Sequence, residues 1–384
     1  MYKIATLNKI SPKGLDRLTE EYTLTNEVHE ANGILVRSQD MHTLDFSSDL
    51  LAIARAGAGI NNIPVDVCSE KGIVVFNTPG ANANAVKELV LTGILMSARN
   101  VSSAIAWTKT LTKDVQKTVE SNKSQFAGHE IKGKTLGVIG LGSIGVLVAN
   151  AAESLGMKVL GYDPYMSVKS AHELSSSVEI FDILDAVLPK CDYITIHVPF
   201  MESTKGLINA KAFAMMKKKV CLLNFSRDQI VKDEDLTEAL TDGKVRKYVT
   251  DFPTDQFINT ENVVCIPHLG ASTKESEENC AKMAVDQLMN YLENGNISNS
   301  VNLPDCSLGV CSTQARIAIF NKNIPAMLGK ITGILADMNI NISDLLNRSK
   351  GDLAYTLIDV DAPVNEEALK QALNIDGIIS ARVI

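Results

Sequence analysis

The feature that most constrains this chain is Gly140-Leu-Gly142-Ser-Ile-Gly145. It stands directly behind the apolar run TLGVI and directly before a stretch of helical period. Strand, glycine turn and helix in that order make a βα unit whose turn lacks side chains at three positions. Gly140 permits the tight turn, Gly142 lets backbone lie against a pyrophosphate, and Gly145 allows the helix to pack close on the strand. The N–H groups at the helix start, those of Ser143 and Ile144 among them, face the phosphates with the positive end of the helix dipole behind them. The next strand candidate, MKVLGYD, ends at Asp163, 18 residues past Gly145. About 20 is the spacing at which an acidic residue meets the ribose hydroxyls. A carboxylate there repels a 2′-phosphate, so the motif selects NAD over NADP.

Such a unit needs a sheet, and the sequence supplies one. CDYITIHVP, KVCLLNFSR, KVRKYVTDF and NVVCIP follow it as short apolar runs with helical spacers between them. The first third has its own series, KIATL, GILVRS, LLAIARAG and GIVVFNTPG. Continuous apolar strands alternating with helices need a parallel sheet covered on both faces. The expectation is α/β, with two Rossmann-like doubly wound parallel-sheet domains. Helices are expected over 81–99, over much of 100–130, and over 272–294. After a Pro-, Asn- and Gly-rich stretch, the last 70 or so residues read β-α-β-β-α-β, the ferredoxin-like order. The expected division is 1–99 with 282–300 as a discontinuous first domain, 100–281 as the NAD-binding domain, 301–313 as a linker and 314–384 as a small separate domain.

Composition removes other classes. The 384 residues carry a net charge of −8 with 5% aromatics and one Trp, which gives a nucleic-acid backbone little to bind. No apolar run reaches the roughly 18 residues of a membrane span, and MYKIATLNKI has no leader pattern. Seven cysteines without a CxxC pair read as reduced buried thiols of a cytoplasmic protein, and no His or Cys spacing suggests a metal.

Three polar groups fall at the ends of later strands, where open α/β sheets place their sites. They are Arg227 after KVCLLNFS, Asp251 and Asp255 around KVRKYVTDFPTD, and His268 after NVVCIP. Oxidation of a hydroxy acid needs a base for the hydroxyl proton, a cation for the carboxylate, and a carboxylate that keeps the base oriented. His197, before Val198-Pro199, reads as lining or structural.

GLGSIG with YDP, HVP at 197–199, NFSR at 224–227 and PHLGAST at 267–273 resembles the NAD-dependent D-2-hydroxyacid dehydrogenases. RAGAGINN at 55–62 and VFNTPGAN at 75–82 extend the resemblance over nearly the whole chain, and the C-terminal segment resembles an ACT domain. The resemblance is strongest to the branch that oxidises 3-phospho-D-glycerate. It implies Arg227 as the ligand of the substrate carboxylate and His268 as the acid/base that also borders the cofactor. Asp255 stands where the family's Glu partner of that His is found, and Asp251 stands as a nicotinamide contact, with the two Asp roles open to exchange. Val198, Pro199, Asn224, Phe225 and Ser226 would line the nicotinamide, and Thr78 would reach the cofactor from the other domain. The site would lie in the cleft between the two domains. Arg37 and Arg55 would hold a phosphate, with Gly57 and Asn77 completing the substrate contacts. Asp228 departs from the usual Gly after the Arg. In the ACT-like segment Asn321, Asn323 and Asn341 would bind L-serine, with Asn321 replacing a common His and Ala326 a common Gly. The implied assembly is a homodimer or homotetramer. Two rival readings are a dehydrogenase of unphosphorylated hydroxy acids and a catalytically weak, corepressor-like NAD sensor.

Overall fold

A computed structural model describes all of residues 1–384 and divides them into two compact units, Met1–Asn82 with Lys274–Ile384, and Ala83–Thr273. The second unit holds a seven-stranded parallel sheet. Its strands are β6 (Thr135–Ile139), β7 (Lys158–Tyr162), β8 (Glu179–Phe181), β9 (Tyr193–Ile196), β10 (Val220–Asn224), β11 (Val245–Thr250) and β12 (Val263–Cys265). Their order is β12-β11-β10-β9-β6-β7-β8. The chain winds outward from β6 through β7 to β8, then returns to β9 and winds the other way. Ligands of open α/β sheets bind at such a switch point, outside the carboxyl ends of the strands. Every residue of β9 and β10 is buried, as expected of strands covered on both faces.

The helix Ala83–Arg99 shows what sets the domain boundary. Val86, Val90, Ile94 and Ala98 form one stripe at four-residue spacing and share a core with Leu136, Val138, Leu223 and Val249. An amphipathic helix belongs to the core that its stripe faces, so this one joins the second unit. The division therefore lies at 82/83 and not at 99/100. By the same argument Lys274–Asn294 belongs wholly to the first unit, because Ala281, Ala284, Val285, Leu288 and Leu292 pack among Ile4, Leu35, Ala54 and Phe76. Residues 100–126 are not one helix. Left-handed Asn100 and Asp114 break them into Val101–Thr108, Val115–Asn122 and a 3-10 turn over Lys123–Phe126.

The first unit contains a five-stranded parallel sheet, β1 (Tyr2–Leu7), β2 (Tyr22–Thr25), β3 (Gly33–Val36), β4 (Ala52–Arg55) and β5 (Val74–Phe76), ordered β2-β1-β3-β4-β5. It also contains the C-terminal βαββαβ segment. That segment has β13 (Ala315–Lys322), β14 (Ile342–Lys350), β15 (Leu353–Val360) and β16 (Ile378–Val383) in the antiparallel order β14-β15-β13-β16.

This segment packs against the rest of the first unit. Phe320, Tyr355 and Leu357 share one apolar core with Ile4, Phe76 and Leu288. Two arginines tie its backbone to the end of the helix Lys274–Asn294. Arg382 donates to the carbonyls of Tyr291 and Leu292. Arg316, fully buried, pairs with Asp359 at 2.5 and 2.8 Å and donates to the carbonyls of Asn294 (2.9 Å) and Gly309 (2.6 Å). Both cations thus satisfy carbonyls that a helix end leaves open. The expected linker 301–313 is partly strapped down as well. The N–H of Val301 donates to Val75 O, and the Asn302 side chain bonds the backbone of both Val75 and Ile73. No single helix of the chain is long and apolar enough to cross a membrane.

Removing one partner of a buried ion pair strands the other charge, at a cost of about 3–5 kcal/mol. Asp359→Ala is therefore expected to lower the unfolding free energy measured by urea titration by an amount of that order. The double variant Arg316→Met/Asp359→Leu, which strands no charge, is expected to recover most of the loss.

Candidate active site

The glycine turn of the second unit is built as its spacing predicts. Gly140 has φ +94°, and a Cβ there would lie 2.7 Å from the His197 carbonyl oxygen. A Cβ on Gly145 would lie 1.9 Å from the Gly140 oxygen, so only glycine lets the helix Ser143–Ser154 approach. Gly142 has nothing within 4 Å of its missing Cβ, which leaves an open backbone face at the helix start. Asp163 is pinned to the same turn. One carboxylate oxygen accepts from the Leu141 N–H and the other from the Tyr165 N–H, each at 2.8 Å. Each oxygen keeps a second lone pair for a ribose hydroxyl. An open anion-binding face and a fixed hydroxyl acceptor fit a dinucleotide.

Beside the turn, His197 and Val198 press on Gly140. The His197 Nε2 lies 3.0 Å from Thr195 Oγ1, its Nδ1 is buried without a partner, and burial pushes its pKa down to about 3. A ring held neutral in this way does not exchange protons near pH 7.

The end of β10 is braced by its own side chains. The fully buried Asn224 accepts from the Ser226 N–H and donates to Arg227 O at 2.8 Å, while Ser226 Oγ donates to Ile196 O. These bonds set the loop that presents Arg227. Asp228 opens a short 3-10 turn without positive φ, so the replacement of Gly is accommodated.

At the end of β11 the chain turns Asp251 inward, 1% exposed. Its Oδ2 accepts from the Gly270 N–H at 3.2 Å and its Oδ1 has no partner. Burial pushes the Asp251 carboxyl above the usual carboxylate range, and the charges of His268 and Arg227, with the Gly270 N–H, pull it back. Asp255, expected as the partner of His268, is exposed and makes no bond to it. The carboxylate with His268 as an electrostatic neighbour is Asp251. The reason is local: Asp251 sits at the strand end, where the peptide path is fixed by pairing with β10 and β12, whereas Asp255 lies in the following turn. Phe252, which sequence reasoning passed over, has its ring 4.7 Å from that of His268 and 5.7 Å from the Arg227 guanidinium carbon. Its signal in the sequence is faint: an aromatic between two candidate carboxylates.

The first unit brings its own expected residues together at the ends of adjacent strands. Arg55 Nε donates to Arg37 O at 2.9 Å and its Nη1 to Gly59 O, and Arg37 pairs with Glu277 at 2.7 Å. Thr78 is fully buried with its N–H on Gly57 O, and the Asn77 side chain donates to Ala58 O. In the C-terminal segment Asn321 and Asn323 line a cavity of about 160 Å³, together with Asn347 and Met327. Asn341 is not among the lining residues; it donates to Asp361 Oδ2 at 2.7 Å. Ala326 has φ +68°, a left-handed conformation that favours glycine.

Residues 91–270 match the family model described as D-isomer specific 2-hydroxyacid dehydrogenase, NAD binding domain. Over 352 residues the chain is 33% identical to the D-3-phosphoglycerate dehydrogenase of Haemophilus influenzae, covering 89% of this chain and 83% of that one. The chain belongs to the D-isomer specific 2-hydroxyacid dehydrogenase family. It is 34% identical to the enzyme of the same name from Methanocaldococcus jannaschii, of whose length it spans 64%. It spans 52% of the human D-3-phosphoglycerate dehydrogenase, at 35% identity. The NAD⁺-bound structure of 3-phosphoglycerate dehydrogenase from Entamoeba histolytica superposes with a TM-score of 0.61 at 25% identity, covering 78% of this chain and 98% of that one. This member of the family is an NAD-dependent dehydrogenase.

The buried Asp251 yields a signed prediction. A carboxyl whose folded pKa is raised loses stability as pH rises past the unfolded value, and the cost is full above the folded one. Asp251→Asn removes that cost. Its melting temperature is expected to exceed wild type most near pH 8 and least near pH 4. The same variant is expected to disturb the pH profile of turnover, whereas Asp255→Asn leaves both measurements at wild-type values.

Proposed function

We propose that this dehydrogenase oxidises 3-phospho-D-glycerate to 3-phosphohydroxypyruvate, reducing NAD⁺. The observation that carries the chemistry is the grouping of Arg227, His268 and the buried Asp251 at the carboxyl ends of the sheet that bears the glycine turn. The similarity over 89% of the chain to a phosphoglycerate dehydrogenase supports the choice of substrate.

NAD⁺, held by the Gly140–Gly145 turn and Asp163, would supply the acceptor for the C2 hydrogen and its electron pair. The His268 imidazole takes the proton of the C2 hydroxyl as that oxygen becomes a carbonyl. Arg227 holds the substrate carboxylate and polarises the same oxygen, using a guanidinium whose planar fork matches a carboxylate. Asp251 offsets the positive charge that His268 acquires. Phosphate recognition is assigned to Arg55, with Arg37 beside it. His268→Asn is expected to lower kcat by about 10²–10⁴ while NADH still binds, as loss of a general base does. Arg55→Ala is expected to raise KM for 3-phosphoglycerate far more than for D-glycerate in an NADH-fluorescence assay. An equal loss on both substrates would give Arg55 a carboxylate role and favour the unphosphorylated substrate class.

Regulation by L-serine is proposed at the C-terminal cavity, with Asn321, whose buried Oδ1 lacks a partner, and Asn323 as its amide ligands. An amide both donates and accepts, which suits a zwitterion. Coupling of about 1–3 kcal/mol, or roughly 5- to 150-fold in affinity, is ordinary for such effects. Millimolar L-serine is expected to lower activity and raise the melting temperature of wild type but not of Asn321→Ala. Wild-type values that do not move would defeat the serine assignment and leave the catalytic one intact.

A further inference from the structure

We propose that Phe252 is a positioning residue, a neutral clamp that holds the Arg227 guanidinium and the His268 imidazole in register. The inference rests on the roles given above to those two residues.

Phe252 is not core filler. It is absent from every apolar cluster of the second unit, in contrast to Phe225 and Phe257, and it stays partly exposed at the carboxyl end of β11. The bond from its N–H to Thr250 Oγ1, 3.0 Å, bends the chain at the strand end. Asp251 is thereby turned inward, and the next side chain is left facing the site. The neighbours of its ring are the two groups the chemistry needs: the His268 ring at 4.7 Å, tilted by 47°, and Arg227 Cζ at 5.7 Å. Both distances lie in the range where a ring attracts another ring or a cation.

Neither neighbour has much else to hold it. No hydrogen bond fixes the exposed His268 ring, and Arg227 has a single bond, Nη1 to Ser226 O at 2.6 Å. Left alone, a long guanidinium side chain and an unbonded imidazole would each sample several rotamers. A carboxylate at position 252 would restrain both more strongly. It would also occupy the edge of Arg227 that must bind the substrate carboxylate. An aromatic ring attracts the cation through its face and leaves the N–H edge available. The ring also lies beside the positive charge that arrives on His268 with the hydroxyl proton.

The test compares Phe252→Leu and Phe252→Tyr with wild type, alongside Arg227→Ala and His268→Asn. Phe252→Leu keeps an apolar side chain without the ring. It is expected to raise KM for the hydroxy acid about 3- to 30-fold, the range of a cation–π contact, and to lower kcat. NADH affinity and melting temperature are expected to stay at wild-type values. Phe252→Tyr keeps the ring and is expected to restore both kinetic constants. In proton NMR spectra the His268 ring resonances are expected to move when the ring current is lost in the Leu variant, and to stay in place in the Tyr variant. Kinetic constants unchanged in Phe252→Leu, with Arg227→Ala and His268→Asn inactive, would overturn this inference alone. A Tyr variant as impaired as the Leu variant would overturn it too. Full turnover by Arg227→Ala and His268→Asn would overturn the catalytic reading and this inference with it.

Discussion

The site depends on one close backbone approach, between the carboxyl ends of β6 and β9. There the His197 carbonyl reaches the position that a side chain on Gly140 would need, and the Gly140 carbonyl does the same to Gly145. Two adjacent parallel strands can close this far only where Cβ atoms are missing. The result is a turn with an open backbone face at Gly142, set at a topological switch point. The loops after β9, β10 and β11 then open toward the same edge, because a parallel sheet sends every carboxyl end in one direction. The arrangement of Asp163, Arg227, Asp251 and His268 follows from that shared direction.

Charge at this edge is managed by burial as much as by contact. Asp251 is enclosed and incompletely bonded, which raises its proton affinity, and the neighbouring His268 and Arg227 pull it back. His197 is enclosed without a charged partner and is held neutral. Two residues of ordinary type, a few positions from their sequence neighbours, are therefore pushed in opposite functional directions by what surrounds them. In the proposed mechanism one is the counter-charge for the base, and the other a silent part of the cofactor wall.

The C-terminal segment shows a second kind of dependence. Its fold is the small βαββαβ unit that its sequence pattern implies, yet it does not stand apart. Arg316 and Arg382 reach across to the last carbonyls of the helix Lys274–Asn294, and Tyr355 donates to Gly295 O at 2.8 Å. The other end of that helix carries Glu277, which pairs with Arg37. One 21-residue helix thus joins the contacts of the C-terminal segment to Arg37 within the first unit.

By itself the sequence determined the features that depend on neighbours along the chain. The glycine turn, Asp163, the succession of buried strands, and the β-α-β-β-α-β order were legible because turn geometry and periodicity are short-range. Arg227 and His268 were legible as strand-end polar groups, and family resemblance assigned their roles. Tertiary structure decided the rest. Which of Asp251 and Asp255 faces His268 depends on where β11 ends and which side chain turns inward, a phase that spacing alone leaves open. The value of Phe252 lies in two residues brought to it from other loops. The helix Ala83–Arg99 joined the second unit, and the C-terminal segment the first, because an apolar stripe declares that it will be buried without declaring against what. Burial is non-directional, so its partners are fixed only when the distant parts of the chain come together.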